Sequence, residues 1–142
     1  MSKRRLYLHT NIFIAGVEQA GPRAIRLFDP IAAGSVKVVT SEITLSETLV
    51  KPLELLREEV ALIYTRFFAD DTGVESIPVS RSILLRSAEI RARAGGKLPD
   101  AIHVATAPDS GCEIVVSNDR KMPLLDPLRR MALEELDVEP FV

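Results

Sequence analysis

The feature that most constrains the fold is the alternation of short apolar strands with helical segments along the chain. The runs Val36–Thr40 and Glu113–Ser117 are rich in β-branched residues, as expected of strands that are buried on both faces. Between such runs the apolar residues recur at helical spacing. Strands that are linked by helices pair in parallel through crossover connections. We therefore expect an α/β fold with three layers, in which helices cover both faces of a mainly parallel central sheet.

Local signals predict the other elements. Further strands are expected at Arg5–Leu8, at Val74–Val79 and, as a last edge strand, at Leu136–Val138. Helices are expected to start near Ile12, to run from about Arg23 to Gly34 and from Ser41 to Val50, to follow the N-cap Ser80, and to run from Pro99 to Ala107.

A longer helix is predicted after Pro52, which should interrupt the preceding one. Its apolar stripe should face the core and consists of Leu53, Leu56, Val60, Ile63 and Phe67. Leu55, Leu62 and Tyr64 lie on another side of the same helix. That second apolar side indicates a covered contact surface.

Length and composition bound the class of protein. A chain of 142 residues can bury enough surface in one core to fold without a metal or a disulfide, so we expect one domain over residues 1–142. The lone cysteine, Cys112, excludes an intramolecular disulfide and fits a reducing compartment. No apolar run approaches the ~20 residues of a membrane span, and no signal-peptide core follows Met1–Arg5. We therefore expect a cytoplasmic protein without a membrane partner.

Charge is unevenly distributed. The net charge of −2 argues against a nucleic-acid binder by global charge alone. The stretch from Arg81 to Lys97, however, contains five basic residues and one acid, Glu89. Its basic residues are Arg81, Arg86, Arg91, Arg93 and Lys97. By itself the stretch is typical of a solvated helix face, and it also fits a local surface for an anionic ligand.

Polar residues are expected to meet at one edge of the sheet. They follow predicted strands or begin helices, and they are His9, Asn11, Glu47, Asp100, Ser117 and Asp119. The carboxyl ends of parallel strands share one edge, where ligands bind in such folds. Three carboxylates at that edge would repel one another unless a cation or a proton compensated. Oxygen ligands of this kind suit Mg²⁺ or Mn²⁺, which can activate a water.

Each of these residues also has a structural explanation at this point. Asp119 fits a cap of the turn that follows it, and Asp100 fits the positive end of its helix. Glu47 fits an exposed surface position as well as an inward one. His103, three residues after Asp100, and Cys112, just before a strand, are expected to be structural.

Four short blocks carry these polar residues in a fixed order. They are Tyr7–Ile14, Thr44–Glu47, Leu98–Ala107 and Val115–Arg120. From Leu6 to about Met122 they resemble, in order and spacing, the motifs of PIN domains, and most closely those of VapC-type toxin ribonucleases from bacterial toxin–antitoxin pairs. The resemblance implies a PIN-like α/β/α fold and a metal-dependent endoribonuclease that cuts RNA with Mg²⁺ or Mn²⁺. It also implies a homodimer and a cognate antitoxin partner.

The resemblance assigns a role to individual positions. Glu47, Asp100 and Asp119 match the family's second, third and fourth acids, which would bind the metal. Asn11 and Ser117 match its supporting polar positions. His9 stands where the family has its first acid, and an imidazole brings no negative charge to octahedral Mg²⁺. We therefore expect a catalytic group of these three acids with His9, and impaired activity.

Three functions remain open on the sequence. The first is a ribonuclease impaired by His9, through a natural change or an engineered one. The second is an active enzyme in which His9 coordinates Mn²⁺ or a later transition metal. The third is a non-catalytic module that binds RNA or an antitoxin. The expected contacts to RNA phosphates are Arg81, Arg86, Arg91 and Lys97.

Overall fold

The computed structural model describes residues 4–19, 36–69 and 73–135. The strands in these ranges are β1 (Arg4–Leu8), β2 (Val36–Ser41), β3 (Val74–Ile77), β4 (Ile114–Val116) and β5 (Arg129–Met131). They form one five-stranded sheet in the order β3-β2-β1-β4-β5, and every neighbouring pair is parallel. The predicted parallel α/β sheet is confirmed, with β1 at its centre.

Helices cover both faces of this sheet. They are α1 (Thr10–Val17), α2 (Ile43–Glu54), α3 (Glu58–Phe67), α4 (Arg81–Ala94) and α5 (Leu98–Asp109). Side chains alternate along β1, so Leu6 and Leu8 pack on the side of α1, α2 and α3, whereas Tyr7 packs on the side of α4 and α5. The two apolar clusters give the expected three layers.

The connection from α4 to α5 is short and depends on glycine. As predicted, the Ser80 hydroxyl caps α4 by accepting the Ile83 amide at 3.2 Å. Gly95 and Gly96 then end the helix with φ angles of +73° and +92°. A Cβ on Gly96 would also lie 3.1 Å from Pro123 Cγ. This tight turn starts α5 beside the end of α4, so the residues of both termini lie together.

The helix after β2 differs from the prediction. Pro52 lies inside α2, and the chain breaks after Glu54 instead, where Leu56 adopts a φ of +54°. The break shifts the helical phase, so the predicted stripe is wrong in part: Leu53 is 60% exposed and Leu56 is 85% exposed. Tyr64, assigned to the outer side, is completely buried in the core.

The other boundaries agree more closely with the structure. Helix α5 extends past the predicted end, with Pro108 in its last turn. The predicted helix at 23–34 and the predicted strand at 136–138 lie outside the described residues. Strand β5 was not predicted, because Arg129–Met131 has no apolar alternation.

Within the described ranges, no helix is both long and apolar enough to cross a membrane.

Candidate active site

The candidate site lies at the carboxyl edge of the two central strands. In the parallel register Leu8 of β1 pairs with Val116 of β4, so the next residues, His9 and Ser117, emerge side by side. The His9 amide donates to the Val116 carbonyl at 3.0 Å, which extends the ladder by one step. His9 then serves as the N-cap residue of α1. Its Nδ1 lies 2.8 Å from the Ser117 hydroxyl.

The Ser117 hydroxyl joins three parts of the site. It accepts the Asp119 amide at 3.0 Å and the Asn11 side-chain amide at 3.4 Å, which uses both of its lone pairs. Its single hydrogen is then directed to His9 Nδ1. A neutral His9 ring therefore carries its hydrogen on Nε2, and that atom lies 3.5 Å from Asp100 Oδ1. The fully buried Ser117 thus sets the orientation of His9.

Strand β5 holds Ser117 in place. The Ser117 amide donates to the Met131 carbonyl at 3.0 Å, and the Arg130 guanidinium donates to the Ser117 carbonyl at 2.7 Å. The following residue, Asn118, accepts the Leu133 amide at 3.0 Å. The strand that the sequence did not predict is therefore a direct support of the site.

Glu47 points inward from α2. Its Oε1 accepts a hydrogen bond from the Thr10 hydroxyl at 2.7 Å and lies 2.7 Å from His103 Nε2. The other ring nitrogen of His103, Nδ1, lies 2.6 Å from the Tyr7 hydroxyl. Tyr7 and His103 are completely buried. Glu47 is therefore the outer end of a buried polar chain, and its side chain is only 29% exposed.

Electrostatics favour a neutral His9 ring. Burial, and then the neighbouring His103, lower the pKa of His9. The carboxylates that act in the opposite direction are Asp100, Glu47 and Asp119, so all three lie within electrostatic range of the ring. Burial alone would raise the pKa of Glu47, but the hydrogen bonds from His103 and Thr10 bring it below its ordinary value.

The arrangement does not fit a divalent ion. Within the described residues, no group of three or more His, Cys, Asp or Glu side chains is placed to hold a metal. Glu47 Oε1 already has two hydrogen-bonding neighbours, and Asp119 Oδ1 accepts the Lys121 amide at 2.9 Å. Asn11 Oδ1 is buried without a partner among the described residues, but it is a single neutral oxygen. His9 also places a neutral ring nitrogen beside Asp100, where octahedral Mg²⁺ prefers an oxygen ligand.

Four basic residues were predicted to contact RNA, and they lie along the helical hairpin of α4 and α5. All four side chains are exposed, namely Arg81, Arg86, Arg91 and Lys97. Arg91 lies at the tight turn of this hairpin, where its Nε donates to the Gly96 carbonyl at 3.2 Å, and Lys97 is the N-cap residue of α5. Asp100 begins the same end of α5. Arg86 instead lines a cavity of about 330 Å³ with Pro108 and Asp109 at the opposite end. Arg81, at the start of α4, also lies away from the turn.

Three residues of the polar chain were missed or undervalued by the sequence reading. Thr10 directly follows His9, but a hydroxyl at a helix start is ordinary. His103 was assigned a structural role, and its contact with Glu47 spans 56 residues of sequence. Tyr7 lies in a strand and looked like core alone. Only the packing of β1 against α5 brings these side chains to Glu47.

Comparison with known proteins gives a matching family model and solved structures of similar fold. The sequence matches the family model of the PIN domain over residues 6–126, and no curated protein matches it. The chain is similar to the DNA-bound VapBC complex of Salmonella typhimurium, with a TM-score of 0.74, 18% identity, and coverage of 92% of this chain and 98% of that one. It is also similar to a toxin–antitoxin complex from Klebsiella pneumoniae, with a TM-score of 0.65, 25% identity, and coverage of 87% and 94%.

A third similar structure is VapC20 of Mycobacterium tuberculosis, a toxin that cleaves the sarcin-ricin loop. Its TM-score is 0.67 with 18% identity, and the match covers 81% of this chain and 90% of that one. The fold is therefore that of VapC-type proteins, as the sequence motifs predicted. The family model spans most of the residues, from the first strand to the loop after Asp119. Together with the parallel sheet, this match shows that the chain belongs to the PIN domain family.

Proposed function

We propose that this chain is a toxin-type ribonuclease whose activity is impaired by His9. The observation that carries the proposal is the position of that residue, at the end of β1, with Nδ1 on Ser117 and Nε2 facing Asp100. A neutral imidazole there replaces the charge that the family pattern has at this position. The relatives of similar fold include toxins of toxin–antitoxin complexes, which supports a nuclease role.

The electrostatic consequence concerns the substrate. An RNA phosphodiester is an anion, and the carboxylates of Glu47, Asp100 and Asp119 repel it unless a cation lies between them. PIN-domain nucleases generally use divalent ions for this purpose. We propose Mg²⁺ or Mn²⁺ as that cofactor for a site with an acid at position 9. With His9 the residues do not fit the ion, so we expect slow turnover or none.

We propose that RNA phosphates bind along α4 and its turn, through Arg81, Arg86, Arg91 and Lys97. Arg91 and Lys97 share the end of the hairpin that carries Asp100, so they should matter most near the acids. Phosphate contacts make binding weaken steeply with salt. Arg91→Glu should therefore weaken RNA binding more than the matched charge reversal Arg86→Glu. Equal effects of the two variants would contradict this placement.

We also propose a protein partner, either an antitoxin or a second copy of the chain, on the hairpin of α2 and α3. Large apolar side chains are exposed there, namely Val50, Leu53, Leu55, Leu56, Leu62 and Ile63. Exposed apolar side chains in such number on one hairpin are typical of an interface. The complexes of similar fold, which contain an antitoxin, support this partner. Light scattering that shows only a monomer at tens of micromolar would count against the homodimer.

A second candidate function is a non-catalytic module that binds RNA or an antitoxin. The lack of fit to a divalent ion favours it, because the basic hairpin and the apolar hairpin need no metal. The two proposals differ in whether restoring a carboxylate at position 9 creates cleavage.

The test is RNA cleavage by the purified chain and by His9→Asp, each with Mg²⁺, with Mn²⁺ and with a chelator. We expect cleavage by His9→Asp that depends on the metal, and little by the unchanged chain. Two controls are His9→Asn, which removes the ring without adding charge, and His9→Asp combined with Asp100→Asn, which excludes a contaminating nuclease. Equal, robust activity of both sequences would show that His9 is a competent group. The absence of RNA cleavage by both sequences would favour the non-catalytic binding module.

A further inference from the structure

The loop that carries Asp119 starts directly after β4, at Ser117, and strand β5 holds its first peptide units. The Ser117 amide donates to the Met131 carbonyl at 3.0 Å. A charged side chain makes the second contact, in which Arg130 Nη1 donates to the Ser117 carbonyl at 2.7 Å. This length is typical of a charge-assisted hydrogen bond, which is stronger than one between neutral groups. Arg130 is therefore the strongest donor in this contact between β5 and the loop.

The register of β5 separates Arg130 from its neighbour Arg129. Arg130 pairs with Val115 of β4, which belongs to the apolar cluster under α4 and α5, so the Arg130 side chain lies on that side of the sheet. Arg129 pairs with Ile114 and lies on the opposite side. Arg130 is half-buried, whereas Arg129 is exposed. Two adjacent arginines of one strand thus have different surroundings, and Arg130 is the one that contacts Ser117.

The Ser117 carbonyl belongs to the peptide unit that leads to Asn118. Because a peptide unit is planar, holding the direction of this carbonyl also holds the direction in which the chain leaves β4. Two side-chain turns follow: the Ser117 hydroxyl accepts the Asp119 amide at 3.0 Å, and Asp119 Oδ1 accepts the Lys121 amide at 2.9 Å. The position of the Asp119 carboxylate therefore depends on the peptide unit that Arg130 holds.

We propose that Arg130 is a positioning residue for Asp119: its guanidinium holds the Ser117 carbonyl, and this contact sets the loop that carries the Asp119 carboxylate. The inference rests on the proposed function only in that Asp119 serves the reaction. Arg130 lies outside residues 6–126, which match the family model, so that match gives it no role. Two contrasting roles are an anchor that only stabilises the edge strand and a direct contact to an RNA phosphate.

The test uses Arg130→Met, which keeps a long unbranched side chain and removes the charge and the N–H donors. Arg129→Met is the matched control, because it removes the same groups from the next residue of the same strand. Arg130→Lys keeps one charged group but not the planar guanidinium, so it should fall between Arg130→Met and the unchanged chain. Arg130→Lys also takes the place of Arg130→Met if that variant does not fold. All variants are made in the full chain.

The first readout is the exchange of backbone amides with water, measured by NMR in chains that keep His9. The Asp119 amide reports the turn on Ser117, and the amides of β2 report the rest of the sheet. We expect Arg130→Met to speed exchange at Asp119 about tenfold more than in β2, and Arg129→Met to change both by less than about threefold. An equal change at Asp119 and in β2 with Arg130→Met would overturn the proposal. This readout needs no activity, so it decides the inference even if the proposed ribonuclease function fails.

The second readout is RNA cleavage by the same variants in the His9→Asp chain. Loss of a group that orients a functional side chain costs roughly 10–100-fold in activity. We expect a loss of that size in kcat with Arg130→Met, with KM changed less than about threefold, and no such loss with Arg129→Met. A contact to an RNA phosphate would instead raise KM and leave kcat unchanged. An anchor of the edge strand would leave both constants unchanged while the protein is folded. Either of these two results would refute the positioning role.

Discussion

Replacing Ser117 by alanine should destabilise the protein, because the change removes a buried hydroxyl that contacts several parts of the site. The hydroxyl is completely buried and contacts His9 Nδ1 at 2.8 Å and the Asp119 amide at 3.0 Å. A buried polar group that loses its partner costs about 1–3 kcal/mol, and water can reach the half-buried Asp119 more easily than His9. We therefore expect the free energy of unfolding to fall by about 2–3 kcal/mol. If this free energy decreases by about 2 kcal/mol per molar urea, the urea concentration at the unfolding midpoint should fall by about 1 to 1.5 M.

Two other serines provide matched controls in the same urea titration. Ser80→Ala removes the N-cap of α4 and should cost about 1 kcal/mol. Ser82→Ala changes an exposed helical position and should stay within about 0.5 kcal/mol of the unchanged chain. The reasoning is refuted if Ser117→Ala and Ser82→Ala unfold at the same urea concentration.

Further outcomes follow from other parts of the fold. Burial raises the pKa of the Cys112 thiol, so we expect it to react with a disulfide reagent at about pH 8 only when urea unfolds the chain. Rapid reaction of the folded protein would contradict the buried position of Cys112. Arg130→Met should lower the free energy of unfolding, measured in urea, by about 1–2 kcal/mol, because the Ser117 carbonyl loses a charged donor. The same change at the exposed Arg129 should lower it by less than about 0.5 kcal/mol. Leu56→Asp should weaken self-association in light scattering if the exposed hairpin is the dimer surface.

The sequence predicted the sheet well because β2 and β4, on either side of β1, are short and rich in β-branched residues. Runs such as Val36–Thr40 are typical of parallel strands in a sheet that is covered on both faces. It failed at β5, whose three residues include Arg129 and Arg130, because a short edge strand is selected by its neighbour and not by its own pattern. It also failed at Pro52, which lies in the last turn of α2, so the helix ends two residues after the proline and not before it.

The acidic residues of the candidate site could be predicted from the sequence, but the hydrogen bonds that hold the site together could not. Glu47, Asp100 and Asp119 were singled out because they follow strands or begin helices, and the structure brings all three within electrostatic range of His9. Their metal-binding and catalytic roles stay predictions. The contacts of Tyr7 with His103 and of Arg130 with Ser117 depend on packing between distant elements, so no local pattern could have revealed them.

The binding of Mn²⁺ tests most directly the claim that His9 keeps this acidic site from holding a divalent ion. Calorimetric titration compares the unchanged chain, His9→Asp and the uncharged control His9→Asn. An added carboxylate among Glu47, Asp100 and Asp119 supplies both a charge and an oxygen ligand, so His9→Asp should bind at least tenfold more tightly, about 1.4 kcal/mol. His9→Asn should gain much less. Mn²⁺ binding by the unchanged chain as tight as that of His9→Asp would contradict the account.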